Sequence, residues 1–458
     1  MKHPYTTKLY TLVFGLFLGL CVWKFGNPVI LDYKITPPAT LSGYLNEPWP
    51  LHWANWMLLP LFLAGGLLIA ARKVSWPHTR WLWLLPLIWL GWQLVSATKT
   101  VDANLTHDTL WQFFGCVACY FIGALLFAHD QLWRWLLPGL LAAFIFCMVR
   151  GIDQRVFEFP QDHTMLVEGE RTGWTNFPSA TVNQMKAESV IITTNGVDVA
   201  NPIILKKFKN GRIAGTLVYP NALAGLILLL WPIALTLAFS HTKTLKSSIR
   251  LAVIGLTLFL GSVAFYWSGS KLGWLIGLAI GGLFLLRLNW PPKLKLTLIS
   301  LLMIVGLGAF GLRFHHYFAN GATSVVARFD YWRAAIQTTM SHPVFGTGPG
   351  TFQRPYAQIK APEAEMARLT HNDYLEQFSD SGFSGGLAYM TWVFLALMVA
   401  TQKIWRNANI IFKAILGGLL GWFAQGFGEF SLYIPALAWT AFTLLGLLIG
   451  LNQNKFDK

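Results

Sequence analysis

Long apolar runs, separated by short polar turns, dominate the chain from end to end. Twelve of these runs approach the roughly 17–25 residues that a helix needs to cross the hydrocarbon of a bilayer. Because lipid offers no hydrogen-bond partners to the backbone, a spanning segment of this type has to be helical. The pattern therefore predicts spans at Leu9–Phe25, Trp53–Ala71, Trp81–Ser96, Leu110–Phe127, Leu132–Val149, Val218–Phe239, Leu251–Trp267, Leu272–Leu286, Leu294–Leu312, Phe383–Thr401, Ile410–Phe427 and Leu432–Leu451.

Two longer polar segments, Arg150–Leu217 and Arg313–Gly382, interrupt this alternation. Connections of such length are uncommon unless they are functional. The first contains a β-branched run over 189–199 that Asn195-Gly196 divides, which predicts a small β-hairpin. We therefore expect an all-α polytopic membrane protein with about 12 transmembrane helices, in which residues 1–458 form a single membrane domain with two long loops.

The composition supports a membrane protein and excludes several other classes. Of 458 residues, 54% are hydrophobic and 12% are charged, whereas about 25% are charged in a typical soluble protein. A soluble enzyme, a disordered chain and a disulfide scaffold are therefore excluded. All four cysteines lie in apolar segments, so Cys116-x-x-Cys119 is expected to pack in the bundle rather than to act as a redox or metal pair.

The basic residues predict the orientation. With both termini in the cytoplasm, the inner loops and termini hold 17 of the 35 Lys and Arg residues but two of the 20 acids. The outer side then holds equal numbers of both signs, so the whole net charge of +15 lies on the inner side. We expect a multi-pass membrane protein with both termini in the cytoplasm and both long loops on the outer side. The same distribution removes the support for a nucleic-acid partner, because these cations face anionic membrane lipid.

Several familiar motifs are missing. The glycine-rich Gly346–Gly350 lacks the Gly-Lys-Ser/Thr ending of a phosphate loop, and we expect it to form a tight turn below a helix start. The sequence contains no His-Glu-x-x-His motif, and His315-His316 is expected to be an interfacial pair rather than a metal site. An energy-coupled pump is therefore not expected.

A set of basic residues remains on the predicted outer side. Arg212 precedes the sixth span, Lys271 ends the short turn Ser268–Lys271, and His371 precedes the tenth span. Arg328 and Arg333 lie five residues apart in the second long loop. Cations at membrane depth bind phosphate strongly where water is scarce. The alternative for any one of them is a contact with a lipid headgroup.

These residues carry a resemblance to a known family. The stretches 215–224, 268–271, 332–352 and 371–375, with Gly382 after them, resemble the O-antigen ligase/polymerase superfamily in order, spacing and predicted side of the membrane. The resemblance implies a GT-C-like inverting glycosyltransferase of the bacterial inner membrane, with both long loops in the periplasm. It would take a glycan from undecaprenyl pyrophosphate on the periplasmic face and pass it to a lipid A-core acceptor. The same resemblance implies that neither a metal nor a nucleotide cofactor is needed.

The resemblance also implies roles for individual residues. His371 would be the general base for the acceptor hydroxyl, which suits the ordinary pKa range of histidine. Arg212 and Lys271 would bind the pyrophosphate; the family more often has Arg at the second position, and Lys lacks the two-pronged fork. Further contacts are expected from Arg328 and Arg333, and supporting roles from Asp373, Glu376 and Asn221. Asp373 and Glu376 would orient His371, unless they are solvated acids in the first turn of a helix.

Other functions remain open at this point. An O-antigen or exopolysaccharide polymerase would use a second glycan as acceptor, and a protein O-oligosaccharyltransferase would use a polypeptide. The Arg-x10-Gly signature of some polymerases is missing after the outer arginines, which favours a ligase. A solute transporter is the alternative outside enzymes, but the predicted spans are nearly free of charged residues at mid-membrane.

Overall fold

The computed structural model describes residues 4–71, 80–287, 290–407 and 409–451. Within these ranges the chain forms eighteen α-helices and a two-stranded sheet. The first nine helices are α1 Pro4–Lys24, α2 Leu41–Asn46, α3 Leu51–Ala70, α4 Leu84–Ala97, α5 Ala103–Ile122, α6 Trp133–Asp153, α7 Phe159–Arg171, α8 Ser179–Ala187 and α9 Pro202–Asn210. The others are α10 Pro220–His241, α11 Ser247–Ser268, α12 Lys271–Leu286, α13 Pro292–Ala319, α14 Thr323–Ser341, α15 Gln353–Ile359, α16 Asp373–Asn407, α17 Ile410–Gln425 and α18 Pro435–Gly450.

The predicted spans are confirmed as helices. Eight helical stretches are long and apolar enough to cross a bilayer, and four shorter apolar helices complete the set of twelve, each overlapping one predicted span. The two largest extensions beyond the predicted spans are mostly polar, and an apolar window does not detect polar residues. One is Trp133–Arg171, in which α6 continues into α7. The other is residues 373–381 of α16, which Gly382, at non-helical backbone angles, separates from the predicted span that begins at Phe383. The chain is therefore a multi-pass helical membrane protein.

Helix α18 is the centre of the bundle, and all of its residues from Pro435 to Gly450 are buried. It packs against α1, α5, α10, α16 and α17. Glycines permit its closest approach to α5, since a Cβ on Gly446 would lie 2.0 Å from the carbonyl oxygen of Tyr120. In membranes the lipid tails are as apolar as the helices, so no hydrophobic effect drives the helices together. Small residues that let two backbones approach closely are therefore common at helix–helix contacts.

The predicted hairpin is present. Strands β1 Ile191–Thr194 and β2 Val197–Ala200 pair antiparallel, with Thr194 opposite Val197. Asn195 and Gly196 form the two-residue turn, both at positive φ, as such turns require. With α7 and α8, the hairpin surrounds a small separate core that includes Leu166 and Trp174.

The helices around the predicted site share one end of the bundle. Helices α10, α12, α16 and α18 begin at the end where α11, α13 and α17 finish. The opposite end carries the connections rich in basic residues, with Lys243, Lys246, Arg250, Lys293, Lys295, Lys403 and Lys413. Other cations used to predict the orientation lie outside the described residues, namely Lys2, Arg72, Lys73, Lys455 and Lys458.

Replacing Gly446 by Ala is expected to destabilise the bundle, because the new methyl group meets backbone of α5. We expect the free energy of unfolding in detergent to fall by about 1–3 kcal/mol, as for overpacked cores. Gly255→Ala in α11 is the matched control, since no described atom beyond the neighbouring backbone of its own helix lies within 4 Å of the Cβ it would add. Equal unfolding midpoints for the two variants would contradict this account of the α5–α18 contact.

Candidate functional site

Arg212 is fixed between the start of α10 and the end of α11. Its guanidinium donates hydrogen bonds to the Ser268 carbonyl at 2.9 Å and to the Asn221 side-chain oxygen at 2.7 Å. The stretch after Arg212 is held by Gln154, whose amide bonds the backbone of Ala214 and Gly215. Burial lowers the pKa of the Arg212 guanidinium from its ordinary value, but arginine stays charged in proteins. Arg212 is thus a preformed, half-buried cation.

The carboxylate of Glu429 joins this arginine to the second long segment. Its Oε1 accepts a hydrogen bond from the Arg328 Nη2 at 2.6 Å and one from the Asn221 Nδ2 at 2.7 Å. The side chain of Glu429 is 3% exposed and that of Arg328 is 15% exposed. A buried carboxylate needs such a partner to remain charged. Asn221 therefore bridges Arg212 and Glu429, and the segment between α17 and α18 connects α10 with α14.

The imidazole of His371 faces the other oxygen of the same carboxylate. Its Nδ1 lies 3.5 Å from the Glu429 Oε2, and neither atom has a hydrogen-bond partner in the described part of the chain. Three rings surround the imidazole, with centroids at 6.0 Å for Tyr219, 5.9 Å for Tyr331 and 4.7 Å for Phe430. The His371 side chain keeps 22% of its surface exposed. The ring is thus oriented by its neighbours while one edge stays accessible.

Asp373 and Glu376 hold the backbone around His371 and are not solvated, since both are buried. Glu376 accepts hydrogen bonds from the backbone and hydroxyl of Thr370, the residue before His371. Asp373 accepts from the Leu432 amide, and its own amide donates to the carbonyls of Gly426 and Glu429. The carboxylate next to the imidazole is therefore that of Glu429, and the two predicted acids fix the segments that carry the pair.

Lys271 lies at the first position of α12, near the same cluster. Its ammonium sits 3.7 Å from the ring centroid of Tyr317 and 5.3 Å from that of Phe314. The charged groups that act on this ammonium are the cations Arg212, Arg328 and Arg313 and one acid, Glu429. Several cations beside a single carboxylate leave an excess of positive charge, which favours a bound anion.

Arg333 does not join the cluster. It lies on α14 with Arg328, but the side chain is exposed and the structure gives it no hydrogen bond or ion pair among the described residues. At about 100° per residue, five positions place two side chains roughly 140° apart around a helix. Arg328 therefore points into the cluster, and Arg333 lies on a different side of α14.

Glu429 is the residue that the sequence analysis missed. In the sequence it is the sole acid between Asp380 and Asp457, where it sits in the short polar gap between the last two predicted spans. A single acid in such a gap indicates a functional or paired residue, because a charge at that depth has to be compensated by groups from neighbouring elements. Its partners Arg328 and His371 come from distant segments, which a local pattern does not reveal.

The glycine-rich turn, the cysteine pair and the His315-His316 pair lie outside this cluster. The turn Gly346–Gly350 contains three glycines at positive φ, and the Gly350 amide donates to the Asp380 carboxylate at 2.7 Å. Cys116 and Cys119 are buried free thiols, and the rings of His315 and His316 lie 3.9 Å apart. Among the described residues, no group of three or more His, Cys, Asp or Glu side chains is placed to hold a metal ion.

Comparison with known proteins gives two findings. Over 203 residues the chain is 29% identical to an uncharacterized protein of Haemophilus influenzae, a match that covers 39% of this chain and 48% of the relative. The chain thus spans about half the length of that curated relative. Residues 256–390 match the family model described as O-antigen ligase, a region that includes Lys271, Arg328 and His371. This match confirms that the chain resembles the O-antigen ligase superfamily, as the motifs around these residues indicate.

Proposed function

We propose that this protein is an inverting glycosyltransferase of the bacterial inner membrane. It transfers an O-antigen or related glycan from undecaprenyl pyrophosphate to a lipid A-core acceptor on the periplasmic face. The observation that carries this proposal is the convergence of an imidazole and several cations from separate segments around one buried carboxylate. Glu429 contacts Arg328 and His371, and Arg212 and Lys271 lie close enough to interact with it electrostatically.

The distribution of charge supports a periplasmic site. The cluster lies at the end of the bundle opposite the connections rich in Lys and Arg. Loops with excess Lys and Arg stay in the cytoplasm. The site then faces outward, where both long loops also lie, and both termini are cytoplasmic.

The lengths of the helices support a site at membrane depth. Helices α12, α17 and α18 have 16 residues each, or about 24 Å, less than the roughly 30 Å of hydrocarbon. The irregular segments next to them carry Glu429 and the turn before Lys271. Irregular backbone at such depth is tolerated where it is buried in protein or lines a cavity. A polyprenyl-linked pyrophosphate is found at this depth, because its chain stays in the lipid.

The geometry suits a single displacement at the anomeric carbon. With its Nδ1 proton directed at Glu429, His371 presents the lone pair of Nε2 to the acceptor hydroxyl. The imidazole takes the hydroxyl proton while the oxygen forms the new bond to the anomeric carbon. The bond from that carbon to the pyrophosphate oxygen breaks, and its electron pair leaves with the pyrophosphate.

The cations stabilise the leaving group. Arg212 and Lys271 are held by contacts to protein before any substrate arrives, so little reorganisation is needed as negative charge develops. Arg328 is partly neutralised by Glu429, whereas no acid among the described residues bonds Arg212 or Lys271 directly. We therefore assign the pyrophosphate to Arg212 and Lys271, with Arg328 as an additional contact.

The proposal is tested by reconstitution in vesicles. The purified protein receives a polyprenyl-pyrophosphate glycan and, in parallel, lipid A-core, free glycan or peptide as acceptor. We expect glycan to appear on lipid A-core. Product with free glycan alone would indicate a polymerase, and product with peptide alone a protein oligosaccharyltransferase. No transfer to any acceptor by a well-folded protein would contradict the proposed enzyme class.

His371 and Glu429 are expected to act as one unit. We choose His371→Asn because the backbone φ of +53° at this residue is tolerated by asparagine. Loss of a general base reduces the rate about 10²–10⁴-fold, and we expect a fall of that size in kcat. Glu429→Gln should lower kcat about tenfold through the orientation of the imidazole.

The double variant separates a role through His371 from general damage. If Glu429 acts through the imidazole, His371→Asn/Glu429→Gln is no slower than His371→Asn alone. If the fall in kcat of the double variant equals the product of the two single falls, Glu429 acts independently of His371. Unfolding midpoints of all three variants are measured beside the rates, and full activity of His371→Asn would remove the proposed base.

Arg212→Ala is expected to weaken binding of the donor. Because a hydrogen bond to a charged group contributes about 1.5–3 kcal/mol, the donor KM should rise at least about tenfold. Arg333→Ala removes the same charge from an exposed position outside the cluster and serves as the matched control. Equal donor KM values for both variants would show that Arg212 does not contact the pyrophosphate.

A further inference from the structure

A cavity opens beside Tyr331, one of the rings that surround His371. It measures about 250 Å³ and lies between the start of α14 and the segment after α15. The polar side chains that line it are Asp330, Glu365, Thr323 and the two phenols of Tyr331 and Tyr356. We call this cavity the tyrosine cleft. Tyr331 contacts His371 and also lines the cleft.

The tyrosine cleft is coupled to the imidazole through stacked rings. Tyr331 stacks on His371 at 5.9 Å with an interplanar angle of 28°. Tyr356 meets Tyr331 edge-on at 5.4 Å and 88°. A molecule in the cleft is therefore one aromatic ring away from His371.

The lining has the chemistry of a site for hydroxyl groups. Asp330 and Glu365 are exposed carboxylates that make no ion pair in the described part of the chain. Burial, with the nearby Tyr331 and acids, raises the pKa of Tyr356 to about 12, so its hydroxyl stays protonated. The Tyr356 hydroxyl donates to the backbone carbonyl of Glu365 at 3.1 Å, and the Tyr331 hydroxyl has no hydrogen bond to any described residue. Carboxylates that accept, a phenol that can donate and aromatic faces are the groups that bind sugars.

The sign of the charge separates the cleft from the cation cluster. Arg212 and Lys271 lie near Glu429, while the charged side chains that line the cleft are two acids. The cations nearest the cleft are Lys360, which bonds the carbonyl of Ala364, and Arg328. Like charges repel at short range, so the cleft disfavours a phosphate or a uronic acid. In an inverting displacement the acceptor approaches opposite the leaving group. The pyrophosphate thus meets a positively charged surface, and the acceptor meets a negatively charged one.

We propose that the tyrosine cleft is the acceptor subsite, and that it binds a neutral, hydroxyl-rich sugar ring adjacent to the one that carries the attacking hydroxyl. This proposal rests on the proposed function and specifies its acceptor. Sugar hydroxyls donate to Asp330 and Glu365, and the apolar face of the ring packs on Tyr331. An acceptor whose outer sugars carry phosphate binds poorly for electrostatic reasons.

The first experiment measures transfer by Asp330→Asn/Glu365→Gln, which keeps the shape of the cleft. The hydrogen bond from Tyr356 also survives, because it goes to the backbone of Glu365. The acceptor is lipid A-core with neutral outer hexoses. We expect its KM to rise at least about tenfold without a matching rise in the donor KM. Glu363→Gln changes an exposed acid that does not line the cleft and should behave as the unmodified protein.

The second experiment needs no catalysis. Saturation-transfer NMR of the detergent-solubilised protein uses the deacylated core oligosaccharide, with and without phosphate on its outer hexose. We expect saturation of the neutral hexose protons, loss of that signal in the double variant, and a weaker signal from the phosphorylated probe. These signals test the cleft even if no transfer to any acceptor is found.

Three results would overturn the acceptor subsite. One is an unchanged acceptor KM in the double variant, and another is a rise in the donor KM alone, which would assign the cleft to the donor glycan. The third is equal saturation of the neutral probe by the double variant and the unmodified protein. In each case transfer from the polyprenyl donor can persist, so the proposed function is judged separately.

Discussion

The cluster depends on a carboxylate that is buried at the end of the helical bundle. Removing a charge from water costs several kcal/mol, and a partner in good geometry has to offset most of this cost. Glu429 meets that requirement with Arg328 and Asn221. Because these partners belong to α14 and α10, the carboxylate fixes two long-range contacts at once. The position of His371 follows, since its imidazole fills the remaining side of the same carboxylate.

The membrane makes such a cluster possible and also confines it. Polar groups without partners are costly in lipid, so the charged residues collect where short helices leave irregular segments at one end of the bundle. The segment between α17 and α18 is held by Asp373, which bonds the Leu432 amide, while Thr370 is held by Glu376. Two buried acids thus fix the backbone on both sides of the Glu429–His371 pair. Asp373 and Glu376 therefore support the segments that carry the imidazole and do not contact the imidazole itself.

The sequence predicted the bundle well and the cluster in part, for different physical reasons. Spans depend on local hydropathy and the hairpin on the Asn195-Gly196 turn, so both were confirmed. Arg212, Arg328 and His371 could be named from motifs, but which atoms meet is a long-range property. Glu429 was missed because its partners, Arg328 and His371, lie far from it in the sequence. Arg333 could have been separated from Arg328 by helical periodicity alone, since five positions do not share a face.

The surroundings of the His371 ring differ in charge between the Glu429 side and the Tyr331 side. Cations surround the Glu429 side, and the Tyr331 side leads to a cleft with two acids. In the proposed transfer, His371 takes a proton from a group that approaches over Tyr331, while the positive field of Arg212 and Lys271 acts on the departing anion. Reversing the two would put a pyrophosphate among carboxylates, which costs electrostatic energy. The order of donor and acceptor in the proposed transfer is therefore set by charge.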